Sequence, residues 1–158
     1  MRRKFAAELF KRMEVNQNIH VLVGDVGYGM FDKIKETFPD RFVNTGASEQ
    51  ALIGIAVGLA MEGKIPFVYT ITPFLLCRPF ETIRNYINNE SIPVKLIGSG
   101  RGRDYAHDGF SHWAQDDDMI TDMFHNIICN WPQRKAEIPE LLDIMIKSKQ
   151  PYYLNLTR

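Results

Sequence analysis

Cysteine is scarce: Cys77 and Cys129 are the only two, far apart and in no Cys-x-x-Cys pair. That argues against a disulfide framework or a cysteine metal site and points to reduced thiols of a cytoplasmic protein. An excess of charge is missing too, with 19 basic residues against 19 acidic ones. Binding to nucleic acid or an anionic membrane therefore has no electrostatic support. No run is long and apolar enough to span a bilayer. The basic start Met1-Arg2-Arg3-Lys4 is not followed by the apolar segment of a signal peptide. Linkers, repeats and low-complexity segments are also lacking, so residues 1–158 are expected to form one domain.

What is present suits a soluble globular chain: 45% apolar and 24% charged residues. Phe5, Leu9, Phe10 and Met13 recur at helical spacing and predict an amphipathic opening helix over about residues 2–16. A short strand follows at Ile19–Val23, then a turn, Gly27-Tyr28-Gly29, a helical stretch near Phe31–Thr37, and a brief strand at Arg41–Asn44. Thr45–Ser48 offer capping residues for a helix over Glu49–Glu62, which Gly63 closes. Pro66–Ile71 and Pro93–Gly98 read as buried strands separated by a helix from about Phe74 to Asn88. A short helix near Asp116–Met123, a strand at Asn126–Cys129, a helix over Ala136–Ser148 and a strand at Tyr152–Leu156 complete the order. Strands alternating with helices predict an α/β fold of three layers, with a mainly parallel sheet covered on both faces.

In such sheets ligands gather beyond the carboxyl ends of the strands. The loops expected there are Gly24–Gly29, Asn44–Glu49, Thr70–Phe74 and Ser99–His112. The first lacks the Lys-Ser/Thr of a P-loop and the full dinucleotide fingerprint, and reads as a strand-to-helix turn lining the site. Glu49 opens a helix apolar nearly all round (Leu52, Ile53, Ile55, Ala56, Val57, Leu59, Ala60), in which Gly54 and Gly58 permit close approach of another backbone. Such a helix is expected to be buried, with a partner on one side. From position alone Glu49 is either an ordinary first-turn acid that caps amides or a functional carboxylate at the rim of a buried surface.

The segment Phe38-Pro39-Asp40-Arg41-Phe42-Val43-Asn44-Thr45-Gly46-Ala47-Ser48-Glu49-Gln50-Ala51 resembles the pyrimidine-binding domain of transketolases. It is similar also to deoxyxylulose-phosphate synthases and the β subunits of 2-oxoacid dehydrogenases. The resemblance continues through Gly54–Ala60, Pro66–Phe74, Pro93–Gly98, Asp108–His112 and Pro151–Leu156, so it covers nearly the whole chain in order. It implies a thiamine-diphosphate-dependent enzyme in which Glu49 hydrogen-bonds N1′ of the cofactor's aminopyrimidine and so helps activate it. It implies that Phe74 stacks on the pyrimidine, with Ile71 and Cys77 at positions where relatives carry further aromatics. Read from the residues themselves, Ile71 and Cys77 are core positions, and Phe74 is either core or a flat face for a heterocycle.

The loop from Gly98 to His112 carries Arg101, Arg103, Asp104, His107, Asp108 and His112. His107 and His112 stand five apart without further metal ligands, so no metal site is expected. The resemblance implies that His112, in Asp108-Gly109-Phe110-Ser111-His112, moves protons at substrate hydroxyls and that Asp108 contacts the sugar. Two departures stand out: an upstream histidine usual in transketolases is replaced around Gly98–Gly100, and the Gln commonly following His112 is Trp113. Arg101 and Arg103 are candidates to hold a phosphate or carboxylate of an unusual acceptor.

The Gly-Asp-Gly…Asn motif that holds the diphosphate through a divalent metal such as Mg²⁺ in these enzymes is not in this sequence. The expectation is therefore a pyrimidine-binding subunit needing a diphosphate-binding partner, economically as an α2β2 heterotetramer. The helix after Glu49 and the helix after Phe74 are the expected contact surfaces. The expected reaction is transfer of a two-carbon ketol unit between sugars or sugar phosphates. The alternatives are a 2-oxoacid decarboxylase or acyloin synthase subunit, and a regulatory subunit without catalysis.

Overall fold

The computed structural model describes residues 1–158. Six strands, β1 (Ile19–Val23), β2 (Phe42–Asn44), β3 (Ile65–Ile71), β4 (Lys95–Ser99), β5 (Ile128–Asn130) and β6 (Tyr152–Leu156), form one sheet in the order β2-β1-β3-β4-β6-β5. Every pairing is parallel. All strand carboxyl ends therefore share one edge, and the four loops singled out above meet there.

Alternate side chains feed two separate cores, as the two-residue period of a strand requires. Val21, Phe67, Tyr69, Ile97, Leu154 and Leu156 face α1 (Arg2–Val15), α2 (Asp32–Thr37) and α7 (Ile138–Lys147). Leu22, Val68, Leu96 and Tyr153 face α3 (Glu49–Met61), α4 (Thr72–Cys77) and the segment behind it. Glu8 is buried on α1 but paired with Lys4, Lys11 and Arg12 at 2.9–3.0 Å, and hydrogen bonds from these cations lower its pKa to about 2. Arg12 continues from Glu8 to Asp143 of α7, at 2.7 Å, and clips the two helices together.

The helix expected over Phe74–Asn88 is interrupted. After α4, Pro79 cannot donate its backbone nitrogen, and the chain restarts as α5 (Phe80–Thr82), which widens into π-helical turns over Ile83–Asn89. The strand expected at Asn126–Cys129 begins later, as β5. The closing helix α7 also begins later than Ala136, after a 3₁₀ turn over Lys135–Glu137. The short α6 (Asp117–Thr121) leads out of the long loop. No helix is long and apolar enough to cross a membrane.

Candidate active site at the carboxyl edge of the sheet

Glu49 is buried at the first turn of α3, with 3% of its surface exposed. Its carboxylate does not turn back to cap the helix. Oε2 accepts a hydrogen bond from Arg78 Nη1 at 2.8 Å, and Oε1 accepts a long one, 3.4 Å, from Thr70 Oγ1 at the end of β3. Ser48, the expected cap, makes no side-chain bond to the helix either. Gly24, at the end of β1, lies against the carboxylate: a Cβ there would come 3.3 Å from Glu49 Oε1 and 3.1 Å from Thr70 Oγ1. The backbone reaches this close only because the residue has no side chain.

Phe74, in α4, is half-buried. The Arg78 guanidinium carbon sits 3.7 Å from its ring centroid, a cation–π contact, while His112 meets the ring edge-on with centroids 4.8 Å apart. Glu49, Arg78, Phe74 and His112 thus form a continuous row across the ends of β2, β3 and β4. His112 Nδ1 lies 3.0 Å from Ser111 Oγ, and its other ring nitrogen has no hydrogen bond within the chain. A cleft of about 270 Å³ beside Phe74 is lined by Cys77, Arg78, Phe110, Trp113 and Asp116.

The remaining candidates are distributed less evenly. Ile71 is half-buried and Cys77 is exposed, so neither is the core residue that the apolar pattern suggests. Burial of its neighbourhood, with Asp116 nearby, raises the Cys77 thiol pKa. Asp108 is exposed beside His107, Oδ2 to Nε2 3.2 Å. Arg103 stacks on Trp113 at 4.2 Å and donates to Gln115 at 2.9 Å, remaining exposed. Arg101 departs from expectation: Nη2 donates to the carbonyls of Pro132 and Asn155, at 3.1 and 2.8 Å. Its guanidinium braces the chain instead of standing free for an anion, because those carbonyls at the ends of neighbouring segments need a donor.

Packing explains the missing upstream histidine. A Cβ on Gly98 would come 2.7 Å from Thr72 Oγ1, and one on Gly100, where φ is +90°, would collide with the Tyr105 ring. Tyr105 is held there by Arg2, at 2.8 Å, and Ser99, at 2.9 Å. No group of three or more His, Cys, Asp or Glu side chains is placed to hold a metal.

Two participants carry no motif that marks them in the sequence. Arg78 stands four residues after Phe74 on one helix face, a spacing that could have flagged it. Asp117 accepts from Trp131 Nε1, Tyr153 OH and Asn155 Nδ2 at 2.8, 2.9 and 2.6 Å, fastening the end of the long loop to β6. Only the fold brings those four together.

A buried carboxylate joined through Arg78 to an aromatic ring, at the carboxyl edge of an all-parallel sheet, marks the site of this α/β domain. The model of the transketolase pyrimidine-binding domain matches residues 1–158, and the chain belongs to that family. It is 29% identical over 97% of its length to an uncharacterised fasciation-locus protein of Rhodococcoides fascians, of which the match covers 49%. It is 36% identical over 78% of its length to one of the subunits of an apulose-4-phosphate transketolase from Actinobacillus succinogenes, covering 39% of that protein. A solved split-gene transketolase, described as an inactive β4 tetramer, superposes with a TM-score of 0.85 at 30% identity, over 98% of this chain and 50% of the other. The chain spans about half the length, or less, of these relatives.

Proposed function

We propose that this chain is the pyrimidine-binding subunit of a two-subunit transketolase-type enzyme. It would transfer a two-carbon ketol unit between sugars or sugar phosphates, with residues 1–158 acting as one pyrimidine-binding domain. The single observation that carries the reading is Glu49: a carboxylate buried at the carboxyl edge of the sheet, linked through Arg78 to the Phe74 ring, with no capping duty. The family implies thiamine diphosphate, and the residues present fit its aminopyrimidine half. Glu49 supplies the acceptor, Phe74 the stacking face, and Gly24 the room beside the carboxylate.

Thiamine diphosphate, when bound, supplies the nucleophilic carbon that such transfers need. This chain's own residues would hold and orient. Glu49 accepts and shares a proton at the pyrimidine N1′ position, which a carboxylate screened from water does without competition from solvent. Phe74 fixes the plane, with Ile71 and Cys77 flanking it. His112, whose second ring nitrogen makes no hydrogen bond within the chain, moves protons to and from substrate hydroxyls, and Asp108 binds a sugar hydroxyl. Arg103, exposed on Trp113, remains the candidate for a phosphate or carboxylate.

A partner subunit would hold the diphosphate through a divalent ion, and an α2β2 heterotetramer is the simplest symmetric assembly. Relatives named as transketolase subunits, and the related β4 tetramer described as inactive, support dependence on a partner. The outer face of α3, with Gly54, Ile55 and Gly58 open to solvent, is the proposed contact surface. In the reconstituted enzyme, Glu49→Gln is expected to lower turnover of ketose phosphates by about 10²–10⁴-fold while assembly persists. Unchanged turnover, or consumption of pyruvate in place of ketose phosphates, would overturn the proposal.

A further inference from the structure

Arg78 has no task in the cofactor chemistry proposed for this site. It makes its only hydrogen bond to Glu49 Oε2, at 2.8 Å, and lays its guanidinium over Phe74 at 3.7 Å. Those are the acceptor and the face assigned to the cofactor's aminopyrimidine, and both are taken by one planar cation of similar thickness. Two flat groups cannot share that slot. We infer that Arg78 occupies the pyrimidine slot in the subunit on its own and is exchanged for the cofactor ring on binding. This rests on the cofactor reading of Glu49 and Phe74.

The physical case has three parts. A carboxylate with 3% exposure needs a compensating partner, and the 3.4 Å contact from Thr70 is too long to provide it. Arg78 provides it in the most complete way available, pairing with the charge while its plane covers the aromatic face. It is also free to leave. Its side chain is 46% exposed, it follows the last residue of the short helix α4, and no second hydrogen bond anchors it. Asp116 lines the same cleft and offers a displaced guanidinium a carboxylate on the solvent side. Arg78 is thus a positioning residue: it holds the Glu49 carboxylate and covers the Phe74 face until the ring arrives.

The test is binding of a cofactor fragment, 4-amino-5-hydroxymethyl-2-methylpyrimidine, to the full chain without its partner. Dissociation constants are measured by NMR titration for the wild type, Arg78→Met and Arg78→Gln; the last keeps an amide for Glu49 should the apolar variant fail to fold. With the competing cation removed, both variants are expected to bind the fragment roughly tenfold tighter than the wild type. In the wild type, the Arg78 guanidinium protons should start shifted upfield by the Phe74 ring and lose that shift as fragment is added. No gain in affinity, including no detectable binding to any of the three, overturns the exchange. Failure of the cofactor reading looks different: the wild-type chain with its partner would then bind no thiamine diphosphate. Normal thiamine diphosphate binding with equal fragment affinities would sink the exchange alone.

Discussion

Removing the Asp117 carboxylate should loosen the anchor of the long loop after β4 at a cost that can be worked from its contacts. Its Oδ2 receives three donors, and two of them, Tyr153 OH and Asn155 Nδ2, belong to fully buried side chains of β6. Burial and the adjacent carboxylate hold the Tyr153 phenol well above its usual pKa, so it stays a donor throughout the accessible range. In Asp117→Ala the half-buried Trp131 can turn its N–H to water and Asn155 Nδ2 keeps the Tyr153 hydroxyl as an acceptor at 3.0 Å, but the buried Tyr153 O–H loses its acceptor. Each orphaned buried donor costs about 1–3 kcal/mol, and the lost bonds to a charged acceptor are the strong kind. The expected destabilisation is about 2–4 kcal/mol, or a fall in Tm of roughly 10 °C for a chain of this size. Asp117→Asn keeps an oxygen in place and should cost only about 1–2 kcal/mol. Urea unfolding followed by Trp131 fluorescence, in a Trp113→Phe background, measures both. A loss below about 1 kcal/mol for the alanine variant, or equal losses for the two, would refute the reasoning.

Lys95 gives a pH prediction. Its ammonium is buried at the start of β4 and satisfied by the carbonyls of Ser148 and Gln150, at 3.0 and 2.6 Å. Burial lowers its pKa to about 8, against 10.5 for a free lysine. Between those values the unfolded chain binds more protons than the folded one, so stability should rise with pH, by up to about 1.4 kcal/mol per unit, and Lys95→Met should abolish the rise. Parallel urea midpoints for the two proteins from pH 8 to 10 would contradict this. On α3, Ile55 is 42% exposed, so Ile55→Glu should shift the chain's own stability by no more than about 0.5 kcal/mol. It should nevertheless prevent co-elution with a partner subunit, and normal co-elution would move the proposed interface elsewhere.

The α/β class and element order were legible because they depend on local patterns. The helical spacing of Phe5, Leu9 and Met13 and the continuous apolar strands state which faces must leave water, whatever they pack against. Glu49 and Phe74 were found by the order of resembling segments, not by periodicity. Pro79 falls inside the helix expected from about Phe74 to Asn88, and the chain breaks there because proline has no backbone N–H to donate. The π turns that follow had no local signature. Helix α3, apolar all round, is expected to pack on the core with one side and on a partner with the other; the structure buries Leu52, Ile53, Ala56 and Val57 and leaves Gly54, Ile55 and Gly58 open.

By itself, then, the sequence determined the alternation of strands and helices, the loops at one edge and the presence of a carboxylate and an aromatic there. Only the tertiary structure decided what those groups touch. Arg78 covers Phe74 because one helical turn separates them, but it reaches Glu49 only because β3 carries α4 alongside the start of α3. Arg101 is spent on carbonyls 31 and 54 residues away. A histidine is excluded from Gly98 and Gly100 by Thr72 and Tyr105, which the fold presses against them. Spacing along a chain fixes which side chains share a face, whereas the distance between faces is set by how the layers pack.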